Sequence, residues 1–271
     1  MPELPEVETV MAGLSPAWLG QRFVRVVAHR ADLRWALPPD LGQRLVGARV
    51  TGIGRRAKYG LVETDRGDTL LLHLGMSGRM RLDPAGPLKH DHVVFETDAG
   101  RVVAFNDPRR FGALDLVATD ALAGHRWLAG LGPEPLGPDF GVDLLVRAFA
   151  GRAAPVKALL LDQRLLAGLG NIYVCEALFR SGIDPRRAGG RIGRDRLVRL
   201  AEAIPAVLRE AIAAGGSSLR DHAAPDGTLG YFQTGFRVYG REGQPCSHCG
   251  APVRRIVQSG RSSFFCGSCQ R

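Results

Sequence analysis

The chain predicts an α+β protein: an antiparallel β-sandwich or barrel first, a helical half next, and a small cysteine-bearing module last. Three observations lead there. Between Arg22 and Val117 the sequence passes through seven short stretches rich in Val, Leu and Phe, with turn residues between them and no helical period. Strands that follow one another without helices pair antiparallel and stack or close. Beyond a Gly- and Pro-bearing linker, Gly130 to Gly141, apolar residues recur at helical spacing. Finally, four of the five cysteines crowd the C-terminal end.

Taken in order, the opening reads as a helix: Pro5 suits a first turn, and Val7, Val10, Met11 and Leu14 fall at i, i+3, i+4, i+7. Ser15-Pro16 is expected to end or interrupt it. The strand-like runs are RFVRVVAH, RLVGARVTGI, YGLVET, TLLLHLG, HVVFET, RVVAF and FGALDLV, with turns such as Asp65-Arg66-Gly67-Asp68 between them. After the linker, helices are predicted near 142–150, 155–166, 171–181 and 194–214, with a tight Gly168-Leu169-Gly170-Asn171 turn before the third. Residues 215–236 carry many glycines and no clear period; a loop of that length is functional or disordered.

Composition narrows the function. At 271 residues with 45% hydrophobic and 23% charged side chains, the chain can bury a full core, which excludes a mostly disordered protein. No apolar run is long enough to span a bilayer and the start has no signal-peptide core, so a cytoplasmic protein without membrane contact is expected. The net charge is +9, and it is uneven: about +2 over residues 1–130 and +7 over 131–271. Such a surplus points to a polyanionic partner, nucleic acid first. Only Lys58, Lys89 and Lys157 are lysines among 36 basic residues, so each retained amine draws notice.

Cys246-x2-Cys249-x16-Cys266-x2-Cys269 is the strongest local signal. Two C-x2-C turns present four thiolates, the donor set of a tetrahedral Zn²⁺ site with no open position, hence one structural ion. His248 lies between two ligands and reads as a surface residue. The module carries Arg254, Arg255, Arg261 and Arg271 and no acid, which suits a phosphate-facing zinc ribbon. Cys175, inside NIYVCEALF, reads as a buried small side chain.

Several strings also stand in a fixed order: MPELPEVETV at the start, RRAKYG at 55–60, HLGMSGR at 73–79, KHDHV at 89–93, NDPRRFG at 106–112, LGPEPL at 131–136, GLGNIY at 168–173, then the cysteine module. Across the whole chain they resemble the formamidopyrimidine-DNA glycosylases, base-excision enzymes for oxidised purines. The resemblance implies an N-terminal β-sandwich over 1–130, a helical domain with a helix–two-turns–helix motif over 131–236, and a zinc finger over 237–271. It implies damaged double-stranded DNA as partner, a cytoplasmic monomer, and one structural Zn²⁺.

The same resemblance implies roles. Met1 is removed and the secondary amine of Pro2 becomes the nucleophile, with Glu3 as proton donor at the sugar. Lys58 is the proton donor in β-elimination, where an exposed strand-end lysine would be the ordinary reading. Arg261 serves the final elimination and clamps phosphate. Met76, Arg109 and Phe111 fill the gap left by a flipped base; read alone, Met76 and Phe111 would belong to a core. His73, His90, Arg152 and Asn171 contact phosphate. Glu6, Lys157, Arg220 and Tyr231 surround the damaged base, under a lid formed by 217–235. Ser77 and Arg220 depart from the family pattern, which carries Glu and Lys there, so lesion preference is open. Two alternatives remain beside a bifunctional purine-lesion glycosylase and lyase. One is an endonuclease VIII-type pyrimidine glycosylase, which Leu4 opposes because such relatives read MPEGPE. The other is a non-catalytic zinc-ribbon DNA binder, which the intact Pro2 and Glu3 oppose.

Overall fold

The computed structural model describes residues 2–218 and 222–271. Helix α1, Leu4–Trp18, starts on a capping box: the Glu3 backbone N–H donates to the Glu6 carboxylate at 2.9 Å, and the Glu3 side chain accepts from the Glu6 N–H. Its stripe of Val7, Val10, Met11 and Leu14 is buried as the spacing predicts. Ser15-Pro16 neither ends nor interrupts it. Pro16 lies in the last turn, where the missing N–H costs a single bond, and the turn delivers Ala17 and Trp18 to full burial. The Trp18 ring meets Phe23 and Phe95 edge-on at 5.3 and 5.2 Å.

Eight antiparallel strands follow, in two four-stranded sheets. Strands β1 (Phe23–Ala28), β5 (Arg79–Leu82), β6 (Asp91–Thr97) and β7 (Val102–Asn106) pair in the order β1-β6-β7-β5. Strands β2 (Val50–Arg56), β3 (Tyr59–Thr64), β4 (Asp68–His73) and β8 (Ala113–Ala118) pair as β2-β3-β4-β8. Two separate sheets make a sandwich rather than a barrel. One core joins Phe23, Phe95, Val103 and Phe105 of the first sheet with Val62, Leu70, Leu72 and Leu114 of the second, and α1 adds its stripe. Gly60 of β3 admits the helix: a Cβ there would fall 2.3 Å from the Met11 sulfur.

Two local expectations are corrected. The run RLVGARVTGI is not one strand: Leu41–Leu45 is a short helix, α2, and β2 begins only at Val50. Leu41 and Leu45, one turn apart, are both buried, so tertiary burial favours a helical turn where Val and Leu alone suggest a strand. Strand β5 was not among the expected runs, because Arg79 and Arg81 mask the alternation that puts Met80 into the core.

The helical half contains α3 (Val142–Phe149), α4 (Val156–Leu161), α5 (Asn171–Arg180) and α6 (Arg194–Ala213), close to the predicted spans. The cysteine module adds a hairpin, β9 (Arg254–Gln258) and β10 (Arg261–Phe265), turned by Ser259 and Gly260, both at positive φ. By compactness the chain forms two units: Met1–Ala129 with Ile212–Gln233, and Gly130–Ala211 with Thr234–Arg271. Residues 212–233 thus pack with the sandwich, whereas the sequence reading runs the helical domain on to 236. No described helix is long and apolar enough to cross a membrane.

Candidate functional site

In the first unit, the head of α1 carries Pro2, Glu3 and Glu6, all buried. Glu6 ties two segments together. One carboxylate oxygen accepts the Glu3 N–H, and the other accepts the Ser217 N–H at 2.8 Å. Ser217 in turn bridges antiparallel to Tyr231, whose side chain is 63% exposed. Glu3, Glu6 and the 217/231 pair therefore form one group, the head of α1 and the far loop being joined through a single carboxylate. Met1 and Arg220 lie outside the described residues, so the Arg220 assignment has no structural counterpart.

A second group gathers at one end of the strands. Lys58 sits in the two-residue turn between β2 and β3, after Ala57 at φ 53°, and is only 7% exposed rather than a solvated strand-end residue. The next residue, Tyr59, pairs across the sheet with His73 of β4, ring centroids 5.0 Å apart. Burial, then the charges of Lys58 and Arg34, push the His73 pKa down to about 4, so the ring is neutral at physiological pH. Its Nδ1 accepts the Gly75 N–H at 3.1 Å, which leaves the proton on Nε2 as a donor suited to a phosphate oxygen.

Beyond His73 the chain turns through Gly75, at φ 63°, where a Cβ would lie 2.3 Å from the Phe111 backbone. That approach presses the HLGMSG and NDPRRFG loops together. Asp107, fully buried, knots them. It accepts from the Ser77 hydroxyl at 2.6 Å and from the Gly112 N–H at 2.7 Å, while its own N–H donates to the His90 carbonyl at 3.0 Å. The Arg109 N–H reaches the same Ser77 hydroxyl at 3.2 Å. The result holds Met76, Arg109 and Phe111 outward: Met76 and Phe111 are 36% and 45% exposed, and the Arg109 guanidinium lies 5.0 Å from the Phe111 ring centre. Neither apolar residue joins the core that strand patterning alone would assign it. An exposed thioether, aromatic ring and guanidinium on a braced pair of loops can enter a base stack.

In the second unit, Asn171 opens α5 directly after the glycine turn. Its Nδ2 donates to the Ser262 carbonyl at 2.9 Å. Lys157 of α4, 1% exposed, reaches the same carbonyl at 2.8 Å and the Ser263 hydroxyl at 2.6 Å. Two functional candidates thus converge on the residue after Arg261. A pocket of about 290 Å³ lies there, lined by Lys157, Asp162, Gln258, Ser259 and Arg261. Arg152 is exposed on the loop after α3, and its charge helps hold the Asp162 carboxyl low, after the larger effect of Arg164. Within the second unit, Lys157 packs with this cluster.

The four cysteine sulfurs all lie within 4.8 Å of one another, with Cys246–Cys269 at 3.9 Å and Cys249–Cys266 at 3.5 Å. A tetrahedral zinc with Zn–S bonds of ~2.3 Å sets sulfurs about 3.8 Å apart, so the four thiolates fit one structural Zn²⁺. Glu176 anchors the segment leading to this site. Fully buried on α5, it accepts the N–H groups of Arg237, Val238 and Tyr239 at 2.9–3.0 Å. Glu176→Ala removes the charged acceptor of three N–H groups, that of Val238 fully buried, and should lower unfolding stability by about 3 kcal/mol. Denaturant titration checks this; a loss below ~1 kcal/mol would show the clamp to be dispensable.

Sequence reasoning missed Asp107 and Glu176. Both were visible only as an acid inside a motif or an otherwise apolar helix (NDPRRFG, NIYVCEALF), with nothing to say which distant N–H groups they serve.

Comparison with known proteins extends this picture. The formamidopyrimidine-DNA glycosylase N-terminal domain matches residues 1–114, the H2TH domain of the same family matches 131–223, and a zinc finger found in FPG and IleRS matches 243–271. The formamidopyrimidine-DNA glycosylases of Rhizorhabdus wittichii and Novosphingobium aromaticivorans are 59% and 60% identical over 271 residues, covering all of both chains. Among solved structures, the MutM (Fpg) protein from Thermus thermophilus is 43% identical with a TM-score of 0.90, covering 99% of this chain and 98% of its own. Lactococcus lactis Fpg, in complex with DNA containing an abasic site, is 36% identical with a TM-score of 0.91 over the full length of both chains.

Proposed function

The chain belongs to the formamidopyrimidine-DNA glycosylase family, and from that premise we propose that it is a bifunctional DNA glycosylase and abasic-site lyase of base excision repair. It acts as a cytoplasmic monomer on double-stranded DNA and removes 8-oxoguanine and formamidopyrimidines. Residues 1–130 supply the chemistry, while 131–236 and the zinc finger, 237–271, grip the strand. The observation that carries this reading is the head of α1, where Pro2 is buried beside Glu3 and the Glu6 carboxylate holds Glu3 and Ser217.

An α-amino group titrates near ~7.7–8.0 against about 10.4 for a lysine side chain, so a terminal amine is substantially neutral at working pH. Once Met1 is removed, the Pro2 nitrogen attacks C1′ of the damaged nucleotide. The C–N bond to the base breaks, the base leaves with the electron pair, and Glu3 supplies a proton at the sugar. A secondary amine then forms a cationic iminium that cannot relax to a neutral imine. Loss of a proton from C2′ expels the 3′ phosphate, with Lys58 as proton donor, and a second elimination releases the 5′ phosphate. Arg261 holds phosphate rather than moving a proton, since guanidinium remains charged. Chemistry on the base requires its extrusion from the stack, and Met76, Arg109 and Phe111 are placed to fill the space. His73, His90, Arg152 and Asn171 serve the phosphates, and Glu6, Lys157, Arg220 and Tyr231 the damaged base. Zinc gives the finger its shape.

Borohydride reduction during turnover tests the scheme. Duplexes carrying 8-oxoguanine, a formamidopyrimidine or thymine glycol are offered in parallel, and a covalent protein–DNA adduct is expected with the first two. Clear preference for thymine glycol would move the protein to the pyrimidine-lesion branch. No adduct with any lesion would make it a binder without chemistry.

A further inference from the structure

His222 played no part in the readings above. Its side chain is 9% exposed, yet Nε2 has no hydrogen-bond partner among the described residues. Buried polar atoms are almost always matched, so an orphan calls for a reason. The Gly215 backbone lies near enough to the ring to favour its protonated form. When the neutral ring carries its proton on Nδ1, Nε2 presents a lone pair.

The lone pair faces an unusual neighbour. A Cβ built on Gly216 would lie 3.1 Å from Glu6 Oε1 and 3.3 Å from His222 Nε2, so both atoms flank one point of the backbone. Glu6 Oε1 accepts the Ser217 N–H, and Oε2 the Glu3 N–H. His222 Nε2, itself without a hydrogen-bond partner among the described residues, thus flanks the same stretch of backbone as the Glu6 carboxylate. Resting on the functional reading above, we propose that His222 is a positioning residue for the chemistry at the head of α1, acting through Glu6: neutral, it leaves the carboxylate to hold Glu3 and Ser217, and protonated, it pairs with that carboxylate and resets how both are held.

Among the described residues, the charged group bearing on the ring is Glu6. Burial pushes the His222 pKa down, while Glu6 and the Gly215 backbone raise it, and the net direction is down. The ring is thus neutral near pH 7 and takes its proton only under acid conditions. The proton on Nε2 then makes a charge-assisted bond to Glu6, cancelling the negative charge beside Pro2 and Glu3.

Two measurements test this on the full-length, zinc-loaded protein. Histidine NMR titration compares the parent protein with Glu6→Gln. The His222 midpoint should lie below the ordinary histidine value and fall further, by about half a unit or more, when the carboxylate is removed; an unchanged midpoint overturns the coupling. Single-turnover release of 8-oxoguanine from duplex DNA is then followed from acid to neutral pH in parent, His222→Asn and His222→Phe proteins, beside cleavage at a preformed abasic site. Base release should fall roughly three- to tenfold, and its acid limb should shift in both variants. Profiles that run parallel to the parent at every pH overturn the proposal. Parent protein that releases no base, alongside a His222 midpoint that moves in Glu6→Gln, would sink the functional reading and leave the pairing standing.

Discussion

Pro2→Ala is expected to lose on the order of a hundredfold or more in both base release and strand cleavage, with the fold intact. The two halves of that expectation have separate grounds. Stability is spared because the start of α1 is capped by Glu3 and Glu6, neither of whose hydrogen bonds uses the Pro2 ring. Chemistry is not spared, because alanine brings a primary amine. Its adduct with C1′ can shed a proton to become a neutral imine, a far weaker electron sink than the iminium that proline is bound to form. Single-turnover kinetics on an 8-oxoguanine duplex measure the first half, and thermal unfolding the second. Turnover within threefold of the parent protein would remove Pro2 as nucleophile. Intact-mass analysis belongs in the same experiment: protein that keeps Met1 and still cuts at full rate would remove the whole covalent scheme.

The same residues show what a sequence can disclose. The stripe of Val7, Val10, Met11 and Leu14 is a local pattern, and its burial follows from helical geometry alone. The four cysteines carry their spacing and their chemistry together, so the metal site was legible without a fold. Met76 and Phe111 were ambiguous on pattern; their exposure is decided by Asp107, which braces two loops about thirty residues apart in sequence. Lys157 reads as a ligand-binding amine, and only the packed structure reveals that Ser262 and Ser263, more than a hundred positions downstream, already occupy its ammonium. The pattern is physical. Periodicity reports which face is dry, while a buried charge reports only that partners exist, and those partners are fixed by chain closure over distances no local window spans. Glu6 is the sharpest instance. A first-turn glutamate is explained completely by capping, yet its second oxygen holds Ser217, 211 positions away.

Cys266→Ala should release the zinc and, with it, tight binding to DNA. Cys266 is fully buried and its sulfur lies 3.5 Å from that of Cys249, so its loss removes one of four ligands from a closed site. Metal binding in such sites contributes on the order of 10 kcal/mol to local folding, far more than a hairpin of two five-residue strands can supply by burial. The damage does not stop at the finger. The hairpin offers the Ser262 carbonyl that both Lys157 and Asn171 use, and it carries Arg261. Without it, a lysine only 1% exposed loses two of its hydrogen-bond acceptors, a loss of about 1.5–3 kcal/mol for each bond to a charged group. Asn171 loses its tether at the start of α5 as well. Affinity for a duplex bearing an abasic-site analogue should therefore fall at least about a hundredfold, a larger loss than any single phosphate contact could cause. Cys175→Ala is the control: that thiol is buried beside Val238 and Cys246, outside the four-sulfur cluster, and its removal should leave the metal in place. Native mass spectrometry of both variants decides the matter, for one zinc retained in Cys266→Ala would mean that the four thiolates are not the ligand set.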